Sequence, residues 1–91
     1  MKTQVRQMRS TKSGYPVANQ FIIYTPEGRY FQSYNSIIAF ISNDNKVTLD
    51  DYYWDYSRTT GKYRNEFLGE GIAETRKNIK SGQYKLKNLN I

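Results

Sequence analysis

The chain is predicted to fold as an α+β domain, a mainly antiparallel sheet of four or five strands with one C-terminal helix packed on one face. Three observations predict it. Short β-branched and aromatic runs alternate with Gly, Pro, Asn and Asp breaks from residue 18 to residue 50. One stretch, residues 71–81, carries apolar residues at helical spacing, with acids at its start and bases at its end. At 91 residues, the chain has length for a single domain.

The elements follow in order. Residues 1–14 read as a flexible basic arm, with Lys2, Arg6, Arg9 and Lys12, no acid, and a Ser/Thr/Gly-rich exit. The domain proper then spans residues 15–91. A first strand is expected over 18–25, with Phe21 and Ile23 on one side and Ile22 and Tyr24 on the other. Pro26-Glu27-Gly28 is a turn, because Pro presets φ and Gly accepts positive φ. Residues 29–34 return as the second strand of the hairpin. Residues 36–42 hold the continuous apolar run Ile37 to Ile41, which reads as the most buried, central strand. Asn43-Asp44-Asn45 turns the chain into a fourth strand over 46–50, with Val47 and Leu49 on one face. In the helix over 71–81, Ile72, Ala73 and Ile79 are expected to face the sheet, and Gly82 to close it. Residues 83–89 then alternate as an edge strand, with Tyr84 and Leu86 inward and Lys85 and Lys87 outward, where charge blocks unwanted pairing.

Between the fourth strand and that helix lies the stretch Asp50 to Leu68, which fits neither simple period. It holds the only Trp and four of the nine Tyr. Thr60 is a candidate cap for a short helix over 62–68, with Tyr63 and Phe67 on one face and Gly69 as its stop. The favoured reading is that Trp54 and some of these tyrosines pack over the sheet as a second core layer. A second is a stacking platform for single-stranded nucleic acid, with Trp54 or Tyr56 on bases and Arg58, Lys62 and Arg64 on phosphates. A third is a protein-binding hot spot, since Trp, Tyr and Arg dominate such sites. Asp50, Asp51 and Asp55 weigh against the second, because they would repel a phosphate backbone.

The pattern Trp54-Asp55-Tyr56-Ser57, then Thr59-Thr60-Gly61-Lys62-Tyr63-Arg64, then Phe67-Leu68, resembles a family of small uncharacterised proteins encoded by tailed phages and prophages. The run Phe31 to Ala39 and the Thr75 to Tyr84 region, with its Ser81-Gly82-Gln83-Tyr84 exit, fit the same family. Together they span about residues 19–90. The resemblance implies a phage or mobile-element origin, and hence the host cytoplasm. It implies nothing about catalysis.

Composition narrows the function more than any motif. The chain has no Cys and no His. Disulfides, thiolate metal sites, Cys nucleophiles, the commonest general base and the commonest zinc ligand are therefore excluded. Asp44-Asn45 with Asp50-Asp51 lacks the spacing and the glycine of a calcium loop. Gly69-Glu70-Gly71 is too short and lacks the lysine of a phosphate loop. An acid–base pair such as Asp55 and Glu66 would need a pocket that so small a domain hardly encloses. No catalytic residue, metal or cofactor is expected. No apolar run is long enough for a membrane span and no secretion signal is visible, so no membrane partner is expected.

Net charge is +6, and the ends of the chain are basic while its middle is acidic. Such a balance favours nucleic acid or another acidic partner. The expected function is a small non-enzymatic accessory protein that binds nucleic acid through Trp54, Tyr56, Arg58, Lys62 and Arg64 and the basic arm (Lys2, Arg6, Arg9, Lys12). The alternatives are a protein-binding inhibitor or modulator of a host defence or transcription factor, and a virion structural component.

Overall fold

The computed structural model of the chain describes residues 3–90. Its fold is α+β. Eight elements follow one another: β1 (Gln4–Arg9), β2 (Pro16–Thr25), β3 (Gly28–Ser33), β4 (Ser36–Ser42), β5 (Val47–Asp50), α1 (Arg58–Leu68), α2 (Ile72–Lys80) and β6 (Lys85–Lys87). The six strands lie side by side in chain order. The first five form an antiparallel meander, and β6 adds parallel to β5. That last step follows from the two helices, which carry the chain back to the start of β5 before it pairs again; a parallel neighbour needs such a crossover.

Turn chemistry fixes the meander. Gly28 starts β3 at φ 155°, where an added Cβ would lie 2.3 Å from the Ile41 carbonyl oxygen and 2.8 Å from Ser42 Cα. Only glycine lets β3 and β4 approach this closely. Asn45 takes φ 65° in the β4–β5 turn, the left-handed conformation that asparagine tolerates well. A bulge in β4 then solves a patterning problem. Phe31 pairs with Ala39 but Gln32 pairs with Ile37, which leaves Ile38 as the extra residue. Ile38 and Ala39 therefore both enter the core, at 1% and 0% exposure, while Ile37 and Phe40 turn to the other face. This is how a continuous apolar run serves a strand covered on one side only.

The structure corrects the expected architecture in three places. Residues 4–9, expected within a flexible arm, form β1, paired with β2 from Gln4↔Tyr24 to Gln7↔Phe21. The anchor is Met8, whose side chain reaches the core. The sheet accordingly has six strands rather than four or five. There are also two helices, and the one lying over β3 and β4 is α1, not the C-terminal helix. Its N-cap is Ser57, whose hydroxyl accepts from the Thr60 amide at 3.2 Å, so it starts earlier than a Thr60 cap would allow. Gly69 ends it in the left-handed conformation, with its N–H on the Asn65 carbonyl. In α2 the buried residue is Thr75, while Ala73 is exposed.

The core lies between the sheet and α1. Phe31, Ala39 and Leu49 are fully buried, and Tyr63 and Phe67 come down on them from α1; the Phe31 and Phe67 rings stack at 5.7 Å. Polar groups inside this layer are largely bonded to one another. Ser33 Oγ and Thr60 Oγ1 lie 2.9 Å apart, and Glu70 accepts from Thr75 Oγ1 and the Tyr84 hydroxyl, both at 2.6 Å. The exceptions are both side-chain amide atoms of Gln20 and the Nε of Arg64, buried and unbonded among the described residues.

Candidate functional site

The aromatic segment is mostly structural. Trp54 is half-buried and packs against the core. Arg64, expected as a phosphate contact, is only 1% exposed. Its guanidinium lies 5.5 Å from the Trp54 ring centroid. It donates to the Trp54 carbonyl at 2.8 Å, to Asp55 Oδ1 at 3.1 Å and to Asn65 Oδ1 at 3.0 Å. That side chain is spent on joining α1 to the loop before it, a use for which the planar fork of arginine is suited. Asp55 is shared with Arg76 at 3.5 Å, which ties α2 to the same point.

The remaining expected residues do not converge. Arg58 and Lys62 are exposed on α1 and line an open groove of about 860 Å³, but Asp55 and Glu66 line it with them. Mixed charge of this kind gives a polyanion no net attraction. Tyr56 is 61% exposed and stands in a cluster with Tyr52, 70% exposed, and Tyr53, with ring centroids 4.8–6.1 Å apart. Arg6 projects from β1, Arg9 donates to the Gly14 carbonyl, and Lys12 lies exposed in the β1–β2 connection. Lys2 lies outside the described residues.

A different surface is better ordered. Because strand side chains alternate, the register defines two rows running across all six strands. One row, Arg6, Ile22, Phe31, Ala39, Leu49 and Leu86, faces the helices. The next, Val5, Ile23, Tyr30, Phe40, Thr48 and Lys85, faces the side opposite the one on which α1 packs. Phe21, Gln32 and Ile37 flank it on this side. Phe21, Tyr30 and Phe40 thus place one ring on each of three adjacent strands. Tyr30 and Phe40 lie against each other, centroids 4.4 Å apart. These rings are half-buried, with Val5 at one margin 64% exposed and Lys85 and Lys87 exposed at the other.

The charge of this face is one-sided. Among the described residues no ion pair engages Lys85 or Lys87. The one carboxylate on this side of the sheet strands is Asp50, which is 1% exposed. It accepts from the Tyr53 and Tyr52 amides at 2.8 and 3.1 Å, the Leu89 amide at 2.7 Å and the Asn90 side chain at 2.9 Å. Burial opposes its charge, but the N–H groups of Leu89 and Tyr53, the Asn90 amide and the Tyr52 N–H together outweigh it and hold the carboxyl below its usual value. Those four donors make Asp50 the clamp that fixes the C-terminal segment, rather than a free charge. The rim acid Asp44 is hydrogen-bonded by the Ser42 hydroxyl and lies 3.7 Å from Lys46 Nζ.

Sequence reasoning missed this face because its rings sit on three strands and become neighbours only through the register. The alternation of Phe21 with Ile22, and of Tyr30 with Phe31, was the available signal.

Among the described residues there is no cluster of Asp or Glu placed to hold a metal ion, and no helix long and apolar enough to cross a membrane. No curated protein and no solved structure matches the chain significantly. One family profile does match, over residues 1–85, from β1 to the start of β6. The chain therefore belongs to a family of unknown function, DUF8033.

Proposed function

We propose that the protein is a small non-enzymatic accessory protein that binds single-stranded nucleic acid on the open face of its sheet. The observation that carries this reading is the cross-strand row in which the Tyr30 and Phe40 rings lead through Thr48 to Lys85, with Lys87 alongside and no free carboxylate among the sheet positions. Flat rings on adjacent strands offer bases a stacking surface, and lysines at the margin take the phosphates. A duplex would present only phosphates to this face and leave the rings without a partner. A phage-borne role in the host cytoplasm, as the sequence resemblance implies, belongs to the same proposal.

The test is fluorescence anisotropy with a labelled 15-nucleotide oligo-dT and its duplex form. Single-strand binding is expected to weaken about tenfold with Tyr30→Ala or Phe40→Leu, since stacking contributes ~1–3 kcal/mol per base. Two lysine–phosphate contacts predict a log–log salt slope of about −1.4. Equal binding of single strand and duplex, or no loss in the ring variants, would refute the reading.

One observation favours a second reading. The Tyr52–Tyr53–Tyr56 cluster, with Tyr52 and Tyr56 exposed, Tyr53 half-buried, and Asp51 and Arg58 nearby in the sequence, has the composition of a protein-binding hot spot. A protein partner held there would be lost with Tyr52→Ala and Tyr56→Ala while oligonucleotide binding persisted.

A further inference from the structure

Where the open face reaches its β6 margin, it stops being flat. A groove of about 590 Å³ lies between the β4–β5 turn and the segment leading into β6. Phe40 and Thr48 line it from the sheet, Asn45 from the turn, Gln83 from the segment before β6, and Lys85 and Lys87 from β6 itself. This volume falls within the ~300–1,000 Å³ of small-molecule sites.

We infer that this groove is a nucleotide subsite, which takes one base against the Phe40 ring and its phosphate between Lys85 and Lys87. The inference rests on the single-strand reading above and deepens it, because the groove is the end of the same row of side chains. Three features argue for this occupant. First, a ring and two lysines converge on one concavity, so apolar and anionic parts of one ligand are both served. Lys85 and Lys87 stand two residues apart on one side of β6, about 7 Å along the strand, near enough to share a phosphate group. Second, the acid at the rim does not compete for the lysines, since Asp44 is already engaged by the Ser42 hydroxyl and by Lys46. Third, the Asn45 and Gln83 amides stand at the rim, each with donors and an acceptor that suit the polar edge of a base. An apolar peptide would leave both lysines facing apolar surface, and a second copy of this chain would set like charges against each other.

The groove is small, and of the two rings that line it, Phe40 and Tyr84, the second has its hydroxyl committed to Glu70, so a mononucleotide is a sufficient probe. In a ¹⁵N-labelled protein, adenosine monophosphate is expected to shift the amides of Asn45, Thr48, Gln83 and Lys85 saturably. Adenosine, which lacks the phosphate, is expected to bind at least tenfold more weakly. Inorganic phosphate alone is expected to shift Lys85 and Lys87 but not Asn45 or Thr48. Lys85→Ala with Lys87→Ala is expected to abolish the tenfold preference for the monophosphate, and the retained spectrum of this surface variant would show that it folds. If the oligonucleotide binds the face while the monophosphate leaves the groove unmoved, the subsite is wrong and the single-strand reading stands. If monophosphate and inorganic phosphate give the same shifts, the site is a cationic patch without base recognition, which also overturns the inference. If neither oligonucleotide nor monophosphate binds, both readings fall.

Discussion

Arg64 shows how far a residue's role depends on surroundings that its neighbours in sequence do not reveal. With Arg58 and Lys62 it reads as part of a cationic run, yet it is buried against Trp54 with three internal acceptors. Arg64→Ala should cost about 3 kcal/mol in urea unfolding, because it strips the Trp54 carbonyl and Asn65 of their donor, leaves Asp55 with Arg76 alone and opens a cavity beside Trp54. Arg58→Ala and Lys62→Ala should each stay within ~0.5 kcal/mol, as exposed substitutions do. Gln20 predicts the opposite sign. Its buried, unbonded amide should be improved on by methionine, so that Gln20→Met stabilises the fold by about 1 kcal/mol. Tyr84 supplies a pH signature. Burial, together with the hydrogen bond and charge of Glu70, pushes its hydroxyl from 10.0 up to about 12. The folded chain therefore holds this proton more tightly than the unfolded chain. The contribution is intact below pH 10 and is lost as pH rises toward 12. Urea midpoints of wild type and Tyr84→Phe measured across that window should converge; parallel curves would show that Glu70 does not engage the hydroxyl.

At the scale of elements, legibility followed the strength of the local signal. The breaks at Pro26–Gly28 and Asn43–Asn45 state their own chemistry, and the four strands around them, β2 to β5, lie where those residues put them. Gly28→Ala is the sharpest check, because the new methyl would run into the β4 backbone; a loss of at least ~2 kcal/mol is expected, and a neutral result would contradict the register of β3 on β4. β1 was not legible, since a polar strand at a sheet edge has no buried alternation to display: only Met8 among its residues is buried. α1 was half legible. Tyr63 and Phe67 mark its inner face, but Thr60, Gly61 and Arg64 complete it, and none of them reads as apolar. The parallel placement of β6 required knowing that α1 and α2 together carry the chain back to the start of β5. Asp50 holds that end of the sheet to the C-terminal segment. Asp50→Asn should release residues 88–90, seen as faster amide exchange at Leu89 and Asn90, with a loss of about 2 kcal/mol.

For the molecule as a whole, the governing fact is that helices cover one face of the sheet and leave the other open. The covered face explains why Trp54, Tyr63, Arg64 and Phe67 of the aromatic segment are used for folding. The open face gathers Phe21, Tyr30 and Phe40 on neighbouring strands, with free lysines at one margin, and this is the surface assigned to single-stranded nucleic acid. The basic balance and the aromatic content visible in the sequence suit that partner; the place where they combine depended on strand register. The most direct measurement is a ¹⁵N amide shift map of the protein titrated with the unlabelled oligo-dT at low salt. The account predicts saturable shifts along Ile23, Tyr30, Phe40, Thr48 and Lys85, with α1 silent. Shifts confined to Arg58, Lys62 and the tyrosine cluster, or none at all, would contradict it.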